Sequence, residues 1–284
     1  MNKLIYLILA ILCSSSIALI FKHSETNNMN RLAVTTANYF TALIISLIMI
    51  FIKSNSIFSD QSKLLWAISI GAIAGIFFFL SFIYYQKSVK KNGAGLAGVF
   101  SKLGILLPML ISIVLWKEFP TSIQWLGIIL AIISIVIVNF PFNKNWKKAL
   151  KLSLILLFFY GGIAEFSNKL FQRYAALNLK PLFLFSVFSV AFIISLVVTI
   201  KDKRKIKRED LFIGVLVGIP NLFSSFFLIS ALDLLKAAVV FPIFSAGSIV
   251  VISLGGFLIY NERLNRREFS AIIMTIIALI LINM

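Results

Sequence analysis

The sequence has 284 residues, of which 60% are hydrophobic and 13% are charged, with 27 Lys and Arg against 10 Asp and Glu. A water-soluble domain of this size needs a more polar surface and a disordered chain holds fewer apolar residues, so both classes are excluded. A single cysteine and a single histidine exclude a disulfide framework and a zinc site of the Cys/His type.

Ten apolar runs along the chain are long enough to be membrane spans, because a hydrocarbon core of about 30 Å needs roughly 20 helical residues. Barrel strands would alternate polar and apolar side chains, which these runs do not do, so we predict helices. The first run is interpreted as a span and not as a cleaved signal peptide, since no small-residue cleavage site follows it. The predicted spans cover residues 4–21, 32–52, 64–85, 94–116, 123–140, 152–171, 181–200, 211–232, 237–260 and 269–283.

The chain contains an internal repeat. A shift of 144 residues aligns Phe100-Ser101 with Phe244-Ser245 and Glu118 with Glu262. Polar matches of this kind are informative because aliphatic matches are common in such a composition. We therefore predict two repeats of five helices, residues 1–143 and 144–284.

Matching helix-start signals follow the two aligned glutamates. Thr121 with Gln124 precedes the fifth span, and Asn265 with Glu268 precedes the tenth. In each pair the first side chain and the one three residues later can satisfy the free amides that open a helix. We expect a capping box at the start of both spans.

An odd number of helices in each repeat makes successive repeats enter the membrane from opposite sides. The predicted fold is therefore an all-α integral membrane protein with ten transmembrane helices arranged as two inverted five-helix repeats. Such repeats create two related half-cavities near the middle of the membrane, which suits transport by alternating access.

The second part of each repeat carries a family pattern. A proline-bearing helix containing Phe100 to Pro108 leads to Glu118, and one containing Val240 to Ser245 leads to Glu262. Over its whole length the chain resembles the EamA-type branch of the drug/metabolite transporter superfamily, in which each half ends with such a helix, a Gly-Glu loop and a short final helix. Lys117 and Asn261 stand where the family usually has the glycine. The resemblance implies a polytopic secondary carrier for small organic solutes.

Two ionisable residues lie well inside predicted spans, where an unpaired charge is costly: Lys102 in the fourth and Glu165 in the sixth. Asn168 and Lys169 follow Glu165 within one helical turn, and Lys169 is near enough to the end of its span to reach the interface. In the functional interpretation, Lys102 binds a substrate carboxylate, and Glu165 binds a substrate amine or carries a transported proton. The alternatives are a buried structural ion pair, or a Lys102 side chain that reaches up to the interface.

A second group of candidate residues is polar but uncharged. Pro220 interrupts the eighth span next to Asn221 and Ser224, so the helix is either broken to line a cavity or kinked and repaired by neighbouring hydroxyls. Asn38 and Tyr39 belong to a polar strip of the second span that we expect to face the interior. All of these residues are predicted to contribute to substrate binding or coupling.

Glycine patterns favour helix packing over cofactor binding. Gly71 and Gly75 are spaced for close helix contact. Gly93, Gly95 and Gly98 match a dinucleotide-binding spacing but open a transmembrane helix with no preceding strand, so no cofactor is predicted.

Positive charges outside the spans are unevenly distributed, with 18 Lys and Arg in the odd-numbered loops and 7 on the opposite face. The positive-inside rule then predicts both termini outside the cytoplasm, whereas members of the resembled family usually have both inside. Residues 201–208 carry six of the eighteen charges. A reporter fused to the C-terminus decides between the two orientations.

The leading functional hypothesis is a secondary transporter of a small organic metabolite, such as an amino-acid or drug exporter, facilitated or proton-coupled. Flipping of a lipid or lipid-linked sugar is an alternative within transport. A membrane-embedded enzyme is disfavoured because the sequence lacks a catalytic constellation, and a scaffold does not need interior charges. The expected partners are a small-molecule substrate, protons, the lipid bilayer and a second copy of the chain, with no nucleic acid. The residue usage suggests the plasma membrane of a prokaryote.

Overall fold

A computed structural model describes residues 4–52, 61–92, 94–139, 152–202, 204–260 and 266–283. The described part of the chain is helical, with eleven α-helices and one 3₁₀ turn at Leu177–Leu179. In chain order the helices are α1 (Ile5–Thr26), α2 (Arg31–Ile52), α3 (Gln61–Asn92), α4 (Ala94–Leu103), α5 (Leu106–Trp116), α6 (Ser122–Asn139), α7 (Leu152–Tyr174), α8 (Lys180–Lys201), α9 (Arg208–Leu234), α10 (Ala237–Tyr260) and α11 (Arg266–Asn283).

The helices correspond to the ten predicted spans. Seven of the described helices are long and apolar enough to cross a membrane, and shorter apolar helices occupy Phe100–Trp116, Ser122–Ile137 and Phe269–Ala278. Their outward surfaces carry large exposed apolar side chains such as Ile52, Val114 and Leu258, which lipid would cover. The predicted class, an all-α membrane protein, is confirmed.

The fourth span is interrupted, because α4 ends at Leu103 and α5 begins at Leu106. The carbonyl of Gly104 would normally accept a hydrogen bond from residue 108, which is a proline without an N–H group. The amide of Leu107 donates to that carbonyl instead, at 3.0 Å, which tightens the turn. In contrast, α9 continues through Pro220 from Arg208 to Leu234.

The first predicted capping box is confirmed. The backbone N–H of Thr121 donates to Gln124 Oε1 at 3.0 Å, and the N–H of Gln124 donates to Thr121 Oγ1 at 3.3 Å. Each side chain thus satisfies an amide that the start of α6 leaves free. The second predicted box, Asn265 with Glu268, lies outside the described residues and side chains.

The chain divides into two compact units that do not coincide with the sequence repeats. The first unit comprises Met1–Leu7, Leu80–Phe166 and Ala231–Met284, and the second comprises Ile8–Phe79 and Ser167–Ser230. Each unit therefore combines helices from both halves of the sequence.

Within the second unit, α2 and α8 pack extensively and run in opposite directions. Thr36 near the start of α2 shares a hydrogen bond of 2.8 Å with Thr199 near the end of α8. The rings of Phe40 and Phe192 lie 5.3 Å apart. These are the second and seventh spans, so helices in the same place of the two repeats are antiparallel, as inverted repeats require.

Two matching glycine contacts hold neighbouring helices against this pair. A Cβ atom added to Gly71 of α3 would lie 2.7 Å from the Phe183 carbonyl oxygen of α8. A Cβ atom added to Gly214 of α9 would lie 2.6 Å from the Val34 carbonyl oxygen of α2. Only glycine permits either approach.

The next helical turn repeats both contacts. Gly75 approaches Val187 and Val190 of α8, and Gly218 approaches Asn38 and Thr41 of α2. Gly214 follows Gly71 by 143 residues and Gly218 follows Gly75 by the same number. The two glycine pairs are therefore one packing element present once in each repeat.

The first unit has its core between α6, α10 and α11. Its buried residues include Ala131, Ile135, Ala246, Ile249 and Ala278, whose small or branched side chains allow close approach. The hydroxyl groups of Ser134 in α6 and Thr275 in α11 form a buried hydrogen bond of 3.0 Å. The fifth and tenth spans, another equivalent pair, thus pack directly on each other.

Candidate functional site

The charged pair predicted from the sequence lies in the first unit. Lys102 is the next-to-last residue of α4, immediately before the interruption, and Glu165 lies in the C-terminal half of α7. Both side chains are half-buried, and the Lys102 ammonium group lies within electrostatic reach of the Glu165 carboxylate. The structure therefore brings together two candidate residues that are 63 positions apart in the sequence.

A glycine crossing between the two helices brings these charges together. A Cβ atom added to Gly162 would lie 2.5 Å from the Gly104 carbonyl oxygen and 2.9 Å from Leu107 Cβ. A Cβ atom added to Gly104 would lie 2.9 Å from the Phe158 carbonyl oxygen. Lys102 and Glu165 lie within one turn of this crossing, so the backbone contact sets their separation.

The surrounding side chains come from three further helices. Ser245 Oγ of α10 donates to the Lys102 carbonyl oxygen at 3.3 Å, at a helix end where carbonyl groups lack intrahelical partners. The rings of Trp116 and Phe166 stack with centroids 5.9 Å apart. The ring centroids of Tyr84 in α3 and Tyr160 in α7 lie 5.2 Å apart.

The uncharged candidates meet in the second unit. Asn221 Nδ2 of α9 donates to Asn38 Oδ1 of α2 at 3.0 Å, and Asn38 is 3% exposed. Ser224 Oγ, one turn further along α9, donates to the carbonyl oxygen of Ala10 in α1 at 3.4 Å. The Gly218 contact on α2 lies one turn before Asn221, so the same close packing positions the Asn pair.

The pseudo-symmetry shows that this hydrogen bond is specific to one half. Phe78 of α3 follows Gly71 by as many residues as Asn221 follows Gly214, so these two positions are equivalent. On the facing helices, Val187 of α8 follows the Gly71 contact at Phe183 by as many residues as Asn38 follows the Gly214 contact at Val34, so Val187 is equivalent to Asn38. The equivalent helix contact is therefore apolar. Tyr39 and Phe188 also occupy equivalent positions, and their rings contact each other at 6.2 Å.

Asn168 and Lys169 lie further along α7, in the part that belongs to the second unit. Lys169 is 3% exposed, and its Nζ donates to Gln172 Oε1 at 2.9 Å. The sequence predicts a lysine that reaches the interface, whereas the structure buries it among protein groups. A buried ammonium group needs such hydrogen bonds because desolvation is costly.

Two carboxylates each accept a hydrogen bond from a backbone amide of the other repeat. Neither was predicted from the sequence as a site residue. In the first unit, Glu118 Oε2 accepts the backbone N–H of Ala237 at 2.7 Å and so caps α10. In the second, the buried carboxylate of Asp210 accepts the N–H of Asn30 at 3.0 Å and that of Lys207 at 2.8 Å. Both satisfy free amides near a helix N-terminus, where negative charge is favourable. The repeat pattern marked Glu118 as matched with Glu262, but it did not indicate this partner.

Within the described residues, no group of three or more His, Cys, Asp and Glu side chains is placed to hold a metal ion.

Comparison with known proteins identifies the family. The family described as "EamA-like transporter family" matches twice, at residues 1–140 and 147–284. An uncharacterised protein of Haemophilus influenzae is 24% identical over 280 residues, which cover 96% of this chain and 95% of that protein. A crystal structure of a protein shares the fold with a TM-score of 0.75 and 15% identity, over 99% of this chain and 96% of that chain. Since the family match extends over both halves of the sequence, the chain belongs to the EamA-like transporter family of the drug/metabolite transporter superfamily.

Proposed function

We propose that the protein is a secondary carrier of a small organic metabolite that works by alternating access in the plasma membrane of a prokaryote. Its two halves are the repeats 1–143 and 144–284. Family membership supports transport, and the antiparallel packing of α2 and α8 supports an inverted architecture in which two related states can exchange.

The observation that carries the proposal is the charged pair of Lys102 and Glu165 inside apolar helices. The scaffold does not require a charge at the lysine position, because the 144-residue shift that aligns Ser101 with Ser245 places the uncharged Ala246 at the position equivalent to Lys102. Ionisable groups within spans are costly and are retained mainly on substrate or ion pathways. We assign Lys102 to a substrate carboxylate or other anionic group.

Glu165 is assigned to coupling in the same site. When a proton neutralises its carboxylate, the neighbouring ammonium group loses its counter-charge and becomes available to an anionic substrate group. Substrate and proton would thus bind co-operatively at adjacent groups. Asn38, Tyr39, Asn221 and Ser224 are assigned to substrate contacts through their amide and hydroxyl groups, and Asn168 and Lys169 to the polar lining of α7.

The first experiment identifies a substrate. The purified protein is screened by thermal unfolding against amino acids, nucleosides and sugar phosphates. A compound at 100 times its Kd stabilises the native state by about 2.7 kcal/mol, which is a measurable shift in Tm. A substrate should lose this effect in Lys102→Gln. If every compound that stabilises the wild type stabilises Lys102→Gln equally, the binding role is wrong.

The second experiment tests coupling in proteoliposomes with the compound identified. In Glu165→Gln, uptake should continue down the substrate gradient but should no longer respond to an imposed pH gradient. Glu209→Gln is the matched control, because it removes one carboxylate that is exposed at the start of α9. Unaltered pH coupling in Glu165→Gln would reject the proton-carrying role.

A further inference from the structure

The connection between α8 and α9 is the most basic segment of the described chain. Five of its basic side chains are described and exposed: Lys201, Arg204, Lys205, Lys207 and Arg208. Asp202 pairs with Arg204 at 3.2 Å, and Glu209 is exposed beside Arg208. In the sequence, residues 201–209 carry six basic residues against these two acids, which leaves a net charge of +4.

The segment is held in place by the second unit. Asp210 is 1% exposed, and both of its carboxylate oxygens are engaged by backbone amides, Oδ1 by Asn30 and Oδ2 by Lys207. Its charge stabilises the backbone here and faces away from solvent. Because the N–H of Lys207 is fixed, the basic side chains extend from an ordered turn, so binding a ligand costs less conformational entropy.

The basic side chains lie beside a surface suited to lipid. The exposed apolar face of α9 begins with Leu211 and Phe212, which are 47% and 63% exposed. At 1.5 Å of rise per residue, Arg208 lies about 6 Å from Phe212 along the helix axis. Ile206, between Lys205 and Lys207, is itself 50% exposed. The basic groups therefore lie one helical turn from an exposed apolar surface. This arrangement corresponds to the boundary between lipid headgroups and acyl chains, where positive side chains contact the headgroups and apolar side chains contact the acyl chains.

We propose that the exposed side chains of Lys201, Arg204, Lys205, Lys207 and Arg208 bind the phosphate headgroups of anionic phospholipids. The chemistry recognised is a phosphodiester with a net negative charge, attached to acyl chains that contact the face of α9 beginning at Leu211 and Phe212. This binding site is independent of the transport site and of the proposed substrate. It also goes beyond orienting the chain in the membrane, because it predicts binding by the folded protein.

The test compares two pairs of charge substitutions in purified protein. The test variant is Lys205→Gln/Lys207→Gln, which leaves the Lys207 backbone contact intact. The matched control is Arg266→Gln/Arg267→Gln, two exposed arginines at the start of α11. Titration with dioleoylphosphatidylglycerol, against dioleoylphosphatidylcholine as neutral lipid, is followed by native mass spectrometry of retained lipid.

Wild-type protein should retain the anionic lipid in preference to the neutral one. Each basic residue near an anionic surface contributes about a fivefold change in affinity, so the test variant should bind phosphatidylglycerol about 30-fold more weakly. Lys205→Arg/Lys207→Arg should retain the wild-type preference, and 0.5 M salt should weaken it. Inorganic phosphate alone should not compete at millimolar concentration, since it has no acyl chains.

Three results would overturn the proposal. Retention of phosphatidylglycerol by the test variant at the wild-type level would leave the charges a role in orientation only. The control pair could lose as much affinity as the test pair, which would indicate an undirected surface charge. Competition by inorganic phosphate would indicate a free-phosphate site in place of a lipid site.

Discussion

Two adjacent glycines of α7 allow the helix crossing beside Lys102 and Glu165 to be tested with a matched pair of substitutions. A methyl group at Gly162 would meet the Gly104 carbonyl oxygen at 2.5 Å and Leu107 Cβ at 2.9 Å. At Gly161 the nearest atom would be Ser81 Oγ at 3.3 Å. The first position faces backbone, while the second faces a small side chain that can rotate.

The difference in stability between the two variants isolates the packing contribution. Each Gly→Ala substitution gains about 1 kcal/mol of helix propensity, and this gain cancels in the comparison. Relief at Gly162 requires the helices to separate by about 1 Å, because carbon atoms in contact prefer 3.5–4.0 Å. Such overpacking costs about 1–3 kcal/mol, so Gly162→Ala should be less stable than Gly161→Ala by that amount.

The assay is thermal unfolding of both variants and the wild type in the same detergent, followed by tryptophan fluorescence. Gly162→Ala should unfold several degrees below Gly161→Ala, at roughly 2–4 °C for each kcal/mol. Its transport rate should also fall, because the Lys102 and Glu165 charges move apart. Equal Tm values, or a higher value for Gly162→Ala, would refute the close crossing.

Three further outcomes follow from contacts elsewhere. Gly71→Ala and Gly214→Ala should lower the Tm by similar amounts, because each places a methyl group 2.6–2.7 Å from a backbone carbonyl of the neighbouring helix; a loss confined to one of them would contradict the matched contacts. Asn38→Val should destabilise the protein by about 1 kcal/mol by leaving Asn221 Nδ2 without its acceptor, and Asn38→Val/Asn221→Phe should recover most of that loss in a double-mutant cycle measured by thermal unfolding. Glu118→Gln should cost about 0.5–1 kcal/mol in the same assay because the N-terminus of α10 loses a negative charge, and an unchanged Tm would show that the Ala237 contact contributes little.

Much of the architecture could be predicted from the sequence because apolar run length and repeat spacing are local or periodic properties. The capping box at Thr121 and Gln124 is written in two residues three apart, and the structure confirms it. The interruption of the fourth span also had a local signal, since Pro108 cannot donate to Gly104. Pro220 carries the same local signal in the eighth span, but α9 continues through it. A proline removes one amide hydrogen bond in either helix, so the neighbouring helix contacts decide whether the helix is interrupted.

Only part of the candidate site could be predicted from the sequence. Charge inside an apolar run identified Lys102 and Glu165, and these roles stay predictions. The partners of Glu118 and Asp210 were not predictable, because Ala237 and Asn30 contribute backbone amides, which every residue type except proline possesses.

The sequence by itself determined that this chain is a membrane protein of ten spans, because transfer of apolar side chains out of water depends on the composition and length of each run. It also determined that the two halves repeat, because matched residues recur at a fixed spacing. Tertiary structure decided how the repeats combine: each compact unit takes helices from both halves. It also decided which glycines are required for helix packing. Gly161 and Gly162 are neighbouring residues of the same type, and they differ in the atoms of the neighbouring helix that lie opposite them. Close packing depends on the surfaces of both helices in a contact, and the sequence of one helix describes only one of those surfaces.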